Sequence, residues 1–436
     1  MYYLYLIVRI LLYPILRFVL PFFSKKAKDR LTFELRNLSE ESTIQKAQYA
    51  FEVSSEGELE QVRFLMDKLL EEGKTIEIIL CSESVEEKIV QIRKKFPMQV
   101  RVLRLPILRF NPIGHKTNAY NWLSASTFVM CRYDFFPELI FYGRKKSVNF
   151  ILISAIFSTF AKKKWAAKSY LKFVYNSFNK IVCATDYEKN KMLKTINYSG
   201  DIFSFDFRCI QILKRQSAAE YKIPEYLPYG AKLIQYLKEN ISNTYVFGSF
   251  WSDELPIFDN VDFVKNKCFI VPHNLGVDEI QKIKSYFLEK NIKVFELKNS
   301  QTKKDFEIMI DQDREFGGVW LFNIKGLLCE LYTLFNAAYI GGGFGDSIHS
   351  VLEPHLAKNL IVCGPKIERS TEYQMIKNLS DQLIYSVSDH SLVFPTLCKM
   401  RSNQGDLDSS SIELYTSESR LLFEKLFNLN ENANVK

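Results

Sequence analysis

Short runs rich in β-branched and aromatic residues alternate with stretches whose apolar positions recur every three to four residues, and this alternation occurs twice along the chain. Such a pattern predicts two parallel sheets, each wrapped by helices. In the first series the strands are expected at Tyr49 to Val53, Ile76 to Cys81, Val100 to Leu105, Thr127 to Cys131, Phe150 to Ala155, Ile181 to Ala184 and Asp201 to Phe207. A helix over Glu58 to Glu72 places Leu59, Val62, Leu65, Met66, Leu69 and Leu70 on one face, and Gly73 closes it. Cys209 to Asn243 is less regular, with Pro224, Pro228 and Gly230, and reads as the interdomain connection. The second series runs through Tyr245 to Phe247, Cys268 to Val271, Lys293 to Glu296, Gly318 to Phe322, Ala338 to Ile340 and Leu360 to Val362, before a last helix from Ser411 to Phe427. The expected division is therefore a segment 1–24, domains at 25–222 and 223–410, and a terminal helix at 411–436.

The first 24 residues depart from this pattern. Tyr2 to Phe23 is almost continuously apolar, interrupted by Arg9, Pro14, Arg17 and Pro21, and Ser24-Lys25-Lys26-Ala27-Lys28 follows. The run reaches the roughly 20 residues a bilayer span needs. Two arginines at mid-depth oppose simple spanning, so the expectation is an anchor that either spans or lies in the interface. The basic flank places the remainder of the chain on the cytoplasmic side.

Composition narrows the class. At 436 residues, with 47% hydrophobic and 25% charged, the chain suits two globular domains. A net charge of +8 favours an anionic partner without choosing between lipid, glycolipid and nucleic acid. The eight cysteines contain no paired spacing and read as reduced core thiols, and neither they nor the five histidines have zinc-ligand spacing. Asp311-Gln312-Asp313 spells a D-x-D motif but sits in a charged run that reads as a surface turn, so no metal site is expected.

The candidate chemistry concentrates in Gly341-Gly342-Gly343-Phe344-Gly345-Asp346-Ser347-Ile348-His349-Ser350, a glycine-rich turn between a strand end and an expected helix start. Backbone amides and the positive end of a helix dipole would suit a phosphate there. Glycines equally serve an ordinary tight βα turn, and these residues alone leave both readings open. Glu353-Pro354 follows, then the apolar run Leu360 to Cys363 ending in Gly364-Pro365. Near the start, Ser55-Glu56-Gly57-Glu58 joins a strand to a helix. There Glu58 is either a cleft carboxylate able to accept a proton or a first-turn acid favoured by the helix dipole.

Together these segments resemble the GT-B glycosyltransferases, and in particular the Kdo transferases of lipopolysaccharide assembly. The resemblance rests on GGGFG, then Ile348-His349, then Leu352-Glu353-Pro354, then a strand ending in Gly364-Pro365. It extends to Ser55-Glu56-Gly57-Glu58, to Arg132-Tyr133-Asp134-Phe135-Phe136, and to Asp206-Phe207-Arg208, Gly248-Ser249 and Val271-Pro272-His273, in family order. What it implies is two Rossmann-like domains facing a cleft, with an N-terminal membrane-anchoring helix. The implied activity is metal-independent, inverting transfer of Kdo from CMP-Kdo to a lipid A precursor of the lipid IVA type, at the cytoplasmic leaflet of the inner membrane.

By the same resemblance Glu58 is the general base, and Asp134 stands where the family usually has glutamate. Ser249, His273, Gly342, Gly343, Gly345, His349, Ser350 and Glu353 would hold the donor, Glu353 through ribose hydroxyls, one helical turn beyond His349 on the same face. Ser55, Gly57 and Arg208 would meet the acceptor, Arg208 being read as a charge ending an apolar strand with a structural ion pair as the alternative. Lys162 and Lys164, in a basic aromatic segment reaching Lys172, would meet lipid phosphates or form a solvated helix face. Two other readings are a GT-B transferase for a different nucleotide sugar and an inactive, membrane-associated GT-B binding protein. Nucleic acid is not expected, since no recognised module accompanies the basic patch.

Overall fold

The computed structural model describes residues 2–38, 46–109, 123–132, 136–157, 165–196, 198–379, 382–402 and 410–427. The chain divides into two compact units, residues 1–208 with 418–436, and residues 209–417. Among the described residues each unit holds one parallel seven-stranded sheet.

In the first unit the strands are β1 (Tyr49–Val53), β2 (Ile76–Leu80), β3 (Val100–Arg104), β4 (Thr127–Cys131), β5 (Asn149–Ala155), β6 (Lys180–Cys183) and β7 (Asp201–Ser204). Their order is β3-β2-β1-β4-β5-β6-β7, so the winding reverses between β1 and β4. In the second they are β8 (Thr244–Phe250), β9 (Lys267–Pro272), β10 (Val294–Leu297), β11 (Val319–Phe322), β12 (Ala337–Ile340), β13 (Leu360–Cys363) and β14 (Ile384–Ser386). The order β10-β11-β9-β8-β12-β13-β14 reverses between β8 and β12. Ligands of open parallel sheets bind outside the carboxyl ends of strands at such reversals.

The near-continuous apolar runs follow from burial on both faces. On β8, Val246 enters one apolar layer while Tyr245 and Phe247 enter the other, and on β12 Ala338 and Ile340 oppose Ala337 and Tyr339 in the same way.

The division does not fall at 222/223. Cys209 and Ile212 pack with Cys329, Leu352 and Leu356, and Ile223 lies in the core of the second unit. Arg215 is paired with Glu330 at 2.7 Å. The segment expected to be an irregular connection is instead three helices, Arg208–Ser217, Ala219–Tyr226 and Gly230–Glu239, with Pro224 inside the second. Their apolar faces override the proline signal. At the other end, helix Ser410–Phe427 straddles the division, which falls between residues 417 and 418, not at 410/411. Its end packs on the first unit, where Phe427 meets Tyr49 edge-on at 5.2 Å and Phe423 meets Phe64 at 6.4 Å.

Residues 2–23 form helix Tyr2–Pro14, a π-helical stretch Ile15–Val19 and a last turn Leu20–Phe23. Pro14 and Pro21 bracket the π stretch, where each removes a ladder N–H. The chain then bends by 119° at Ser24 into helix Lys25–Leu35, and among the described residues no single helix is long and apolar enough to cross a membrane. Phe22 and Phe23 are 88% and 84% exposed, while Arg9 is buried against Glu138 at 3.5 Å.

Candidate functional site

At the reversal in the first sheet, the chain leaves β1 through Ser54 and enters helix Glu56–Glu71. Ser55 caps this helix, its Oγ accepting from Glu58 N at 3.3 Å, and Glu58 Oε2 accepts from Ser54 N at 2.7 Å. Glu58 is thus the third residue of the helix, its carboxylate bound back to the residue before the cap, and it sits nearly buried at the carboxyl edge of the sheet. Gly57 adjoins open space, with nothing within 4 Å of where a β-carbon would be.

Other polar groups gather around Glu58. Glu52 is fully buried and accepts from Ser54 Oγ and Cys81 Sγ, both at 3.0 Å. Arg132, just past β4, takes a left-handed backbone at φ 62° and its guanidinium donates to the Gln61 amide oxygen at 2.7 and 2.9 Å. Burial, followed by the carboxylates of Glu58 and Glu52, pushes the Cys131 thiol well above its ordinary range. Sequence reasoning missed Glu52 and Arg132 as members of this group. Glu52 hides inside an apolar strand, and a left-handed arginine leaves no signal in sequence.

Other expected acceptor residues fare differently. Arg208 does not end a strand, because β7 stops at Ser204 and Arg208 opens a helix. Its Nε donates to both Asp206 oxygens at 3.0 and 3.1 Å, the ion-pair alternative. Asp134, Lys162 and Lys164 lie outside the described residues.

The second unit carries a groove of about 680 Å³, lined by Ser249, Trp251, His273, Asn274 and Lys325 among others. It lies at the carboxyl ends of β8, β9 and β11, a volume in the range of small-molecule sites. Ser249 has φ 50°, a conformation that a side chain rarely adopts and that turns the chain sharply before Trp251. Three rings meet here. His273 stacks on His349 with centroids 4.0 Å apart, Trp251 lies 4.7 Å from His273, and Trp251 Nε1 donates to His349 Nε2 at 2.9 Å. Burial lowers His273, and burial followed by His273 lowers His349 to about 4. Both are neutral donors or acceptors near pH 7, not cations.

The glycine turn leaves β12 beside this groove. Gly342 has φ 90° and Gly345 N donates to Gly342 O at 3.1 Å. A β-carbon on Gly343 would lie 2.7 Å from Gly364 N, so that glycine is required by backbone packing whether or not a ligand binds. The expected helix beyond the loop is short, Leu352–Leu356, and His349 lies outside it, so His349 and Glu353 do not share a helical face. Its amino end is also occupied: Glu372 accepts from Ser350 Oγ at 2.8 Å, Val351 N at 3.0 Å and Leu352 N at 3.3 Å. The helix-dipole part of the anion argument therefore fails, since Glu372 already caps this end and the Ser350 hydroxyl donates to the same carboxylate. Glu353 lies toward Arg215, Cys329 and Tyr332, whose ionisation it influences.

Asp311 and Asp313 are on helix Lys303–Phe316, not in a turn. Asp313 is buried against Lys267 at 2.8 Å and Asp311 is exposed beside Arg314, so the two do not converge. None of the eight cysteines is in a disulfide, and seven are buried.

Residues 25–202 match the family model for 3-deoxy-D-manno-octulosonic-acid transferase (kdotransferase). No curated protein matches the chain in sequence. Among solved structures, the C-terminal CMP-Kdo binding domain of WaaA from Acinetobacter baumannii is 15% identical, covering 50% of this chain and 98% of that one at a TM-score of 0.31. A glycosyltransferase from Rickettsia africae is 11% identical over 89% of this chain and 100% of its own, with a TM-score of 0.45. UDP-GlcNAc 2-epimerase from Neisseria meningitidis is 9% identical over 82% of this chain and 95% of its own, with a TM-score of 0.49. The chain thus carries two doubly wound parallel sheets, and residues 25–202, within the first unit, are similar to the Kdo transferases.

Proposed function

We propose that the protein transfers Kdo from CMP-Kdo to a lipid A precursor of the lipid IVA type, with inversion at the anomeric carbon. The observation that carries this reading is Glu58, a nearly buried carboxylate at the carboxyl edge of β1, beside the strand reversal and inside the segment that the family model matches. Glu58 accepts the proton of a glucosamine hydroxyl as that oxygen attacks the anomeric carbon of Kdo. The bond to CMP breaks and its electron pair leaves on the phosphate oxygen. The Gly343 amide in the turn held by Gly342 and Gly345, together with Ser249 and neutral His273, meets that charge, with Lys325 supplying a cation on the groove wall. No step requires a divalent metal.

Membrane association is assigned to residues 2–23, whose exposed Leu11, Phe18, Phe22 and Phe23 would enter the headgroup boundary of the inner membrane's cytoplasmic leaflet. The test is incubation of purified protein with CMP-Kdo, generated in situ, and a tetraacylated lipid A precursor, followed by mass spectrometry. The expected product carries added Kdo, with CMP released, and forms in excess EDTA. A folded, CMP-binding protein that yields no such product would overturn the reading.

A further inference from the structure

One buried carboxylate joins the two loops of the groove just described. Glu254 is fully buried in the short helix Ser252–Phe258 that follows β8. Its Oε1 accepts from Gly342 N and from the Tyr339 hydroxyl, each at 2.8 Å, and its Oε2 accepts from Trp251 N at 3.1 Å. Gly342 belongs to the turn after β12, Trp251 to the turn after β8, and Tyr339 to β12 itself. Three donors from two neighbouring strand ends thus converge on a single side chain.

The ordinary cost of burying a carboxylate makes such a placement rare unless it is fully hydrogen-bonded. Burial raises Glu254 to about 7, the Tyr339 hydroxyl and the Trp251 and Gly342 amides oppose that rise, and neighbouring Asp253 adds to it. Its hydrogen-bond partners among the described residues are two backbone amides and a tyrosine hydroxyl, neutral donors and not a structural salt bridge. A second, shallower bridge runs parallel: Trp251 Nε1 to His349 Nε2, with His349 N donating to Gly341 O at 3.1 Å.

We infer that Glu254 is a positioning residue for the nucleotide-sugar donor, locking the glycine turn to the Trp251 turn so that loop amides and ring stack form one binding surface. The inference rests on the donor-site reading above. Replacing Glu254 by alanine removes the acceptor for both amides, and the two turns then move independently. Glutamine restores one acceptor oxygen but sets its NH₂ against a backbone N–H, so its effect lies between alanine and wild type. Tyr339→Phe removes one donor and leaves both amides held, which makes it the mildest variant.

The experiment measures KM for CMP-Kdo and for the lipid acceptor with full-length detergent-solubilised protein, and CMP affinity by calorimetry, after circular dichroism has established folding. Expected are a donor KM and CMP Kd raised about tenfold or more in Glu254→Ala, less in Glu254→Gln, and about twofold to fivefold in Tyr339→Phe. The acceptor KM stays within twofold. A purely structural carboxylate would lower the active fraction and leave both KM values alone, and that result would overturn the inference. If Glu254→Ala does not fold, Tyr339→Phe decides by the same criterion. Lys325→Glu, on the exposed groove wall, separates the two levels: if it weakens CMP while the Glu254 and Tyr339 variants do not, only the positioning role fails. If none of the three affects CMP, the donor-site reading fails and the inference with it.

Discussion

Trp251 Nε1 donates to His349 Nε2, so the His349 imidazole must be neutral with its proton on Nδ1. Its folded value of about 4 lies below the ordinary 6.5, which makes the unfolded chain the better proton binder between those values. Stability from this group is therefore complete above about pH 6.5 and is lost as pH falls toward 4. Buried His355, also near 4, acts in the same direction, whereas Glu254, raised from 4.5 to about 7, acts in the opposite one. The comparison must be differential. In urea denaturation between pH 7 and 4.5, His349→Gln should lose less stability than wild type, because glutamine offers Trp251 an acceptor that does not titrate. Equal slopes would mean that His349 titrates as it does in solvent.

Glu58→Gln should lower kcat by roughly 10²- to 10⁴-fold, the range for loss of a general base, while CMP affinity is unchanged. The amide oxygen can still accept from Ser54 N, so the thermal midpoint should move little. Glu58→Ala takes away the acceptor of the Ser54 amide as well and should cost about 1 kcal/mol of stability in addition. Near-normal turnover of Glu58→Gln would reduce the residue to holding the Ser54 amide.

Much of the fold was legible because both sheets are buried on both faces, which turns each strand into an apolar run bounded by polar turns. Tyr49–Val53 and Thr127–Cys131 match their expected limits. β14 was missed because three residues, Ile384–Ser386, at a sheet edge carry too little pattern to read. The proline-marked stretch after Arg208 was misread because turn residues signal locally, whereas Ile223 is held by a core assembled from distant strands. Of the candidate site, position was legible: Glu58 opens a helix after a strand and the glycine turn follows a strand end, as the sequence pattern places them. The site was not legible where it depends on long-range partners. Glu372 lies 22 residues from Ser350, and Glu254 lies 88 from Gly342. No local spacing announces either.

Lys325 is the exposed cation on the groove wall, on a turn that Arg215 braces through the Gly326 carbonyl at 3.1 Å. Charge reversal in Lys325→Glu should weaken CMP about tenfold at low ionic strength, and less at 0.5 M salt, since screened attraction is what the substitution inverts. Calorimetry at the two salt concentrations reads both effects. An affinity that is unchanged at low salt would place the phosphate away from this wall.

Truncation tests which N-terminal residues serve the proposed membrane contact and which belong to the fold. Removing residues 2–23 takes away the exposed apolar face of Leu11, Phe18, Phe22 and Phe23, and should release the protein from membranes. It also removes Arg9 from Glu138, and breaking a buried pair of this kind costs roughly 3–5 kcal/mol. The shortened protein should therefore fold with a lowered thermal midpoint. Removing residues 2–36 should be far worse. Arg30 donates to the Cys81 and Leu105 carbonyls, where β2 and β3 end, and buried Glu34 accepts from the backbone amides of Ile107, Leu108 and Arg109 at 2.8–2.9 Å. Helix Lys25–Leu35 thus closes the edge of the first sheet, and without it those amides and carbonyls lose their partners. Membrane fractionation and circular dichroism of the two truncations check the distinction. A shorter deletion that unfolds, or a longer one that stays folded, would show that the border between anchor and domain does not lie at the bend at Ser24.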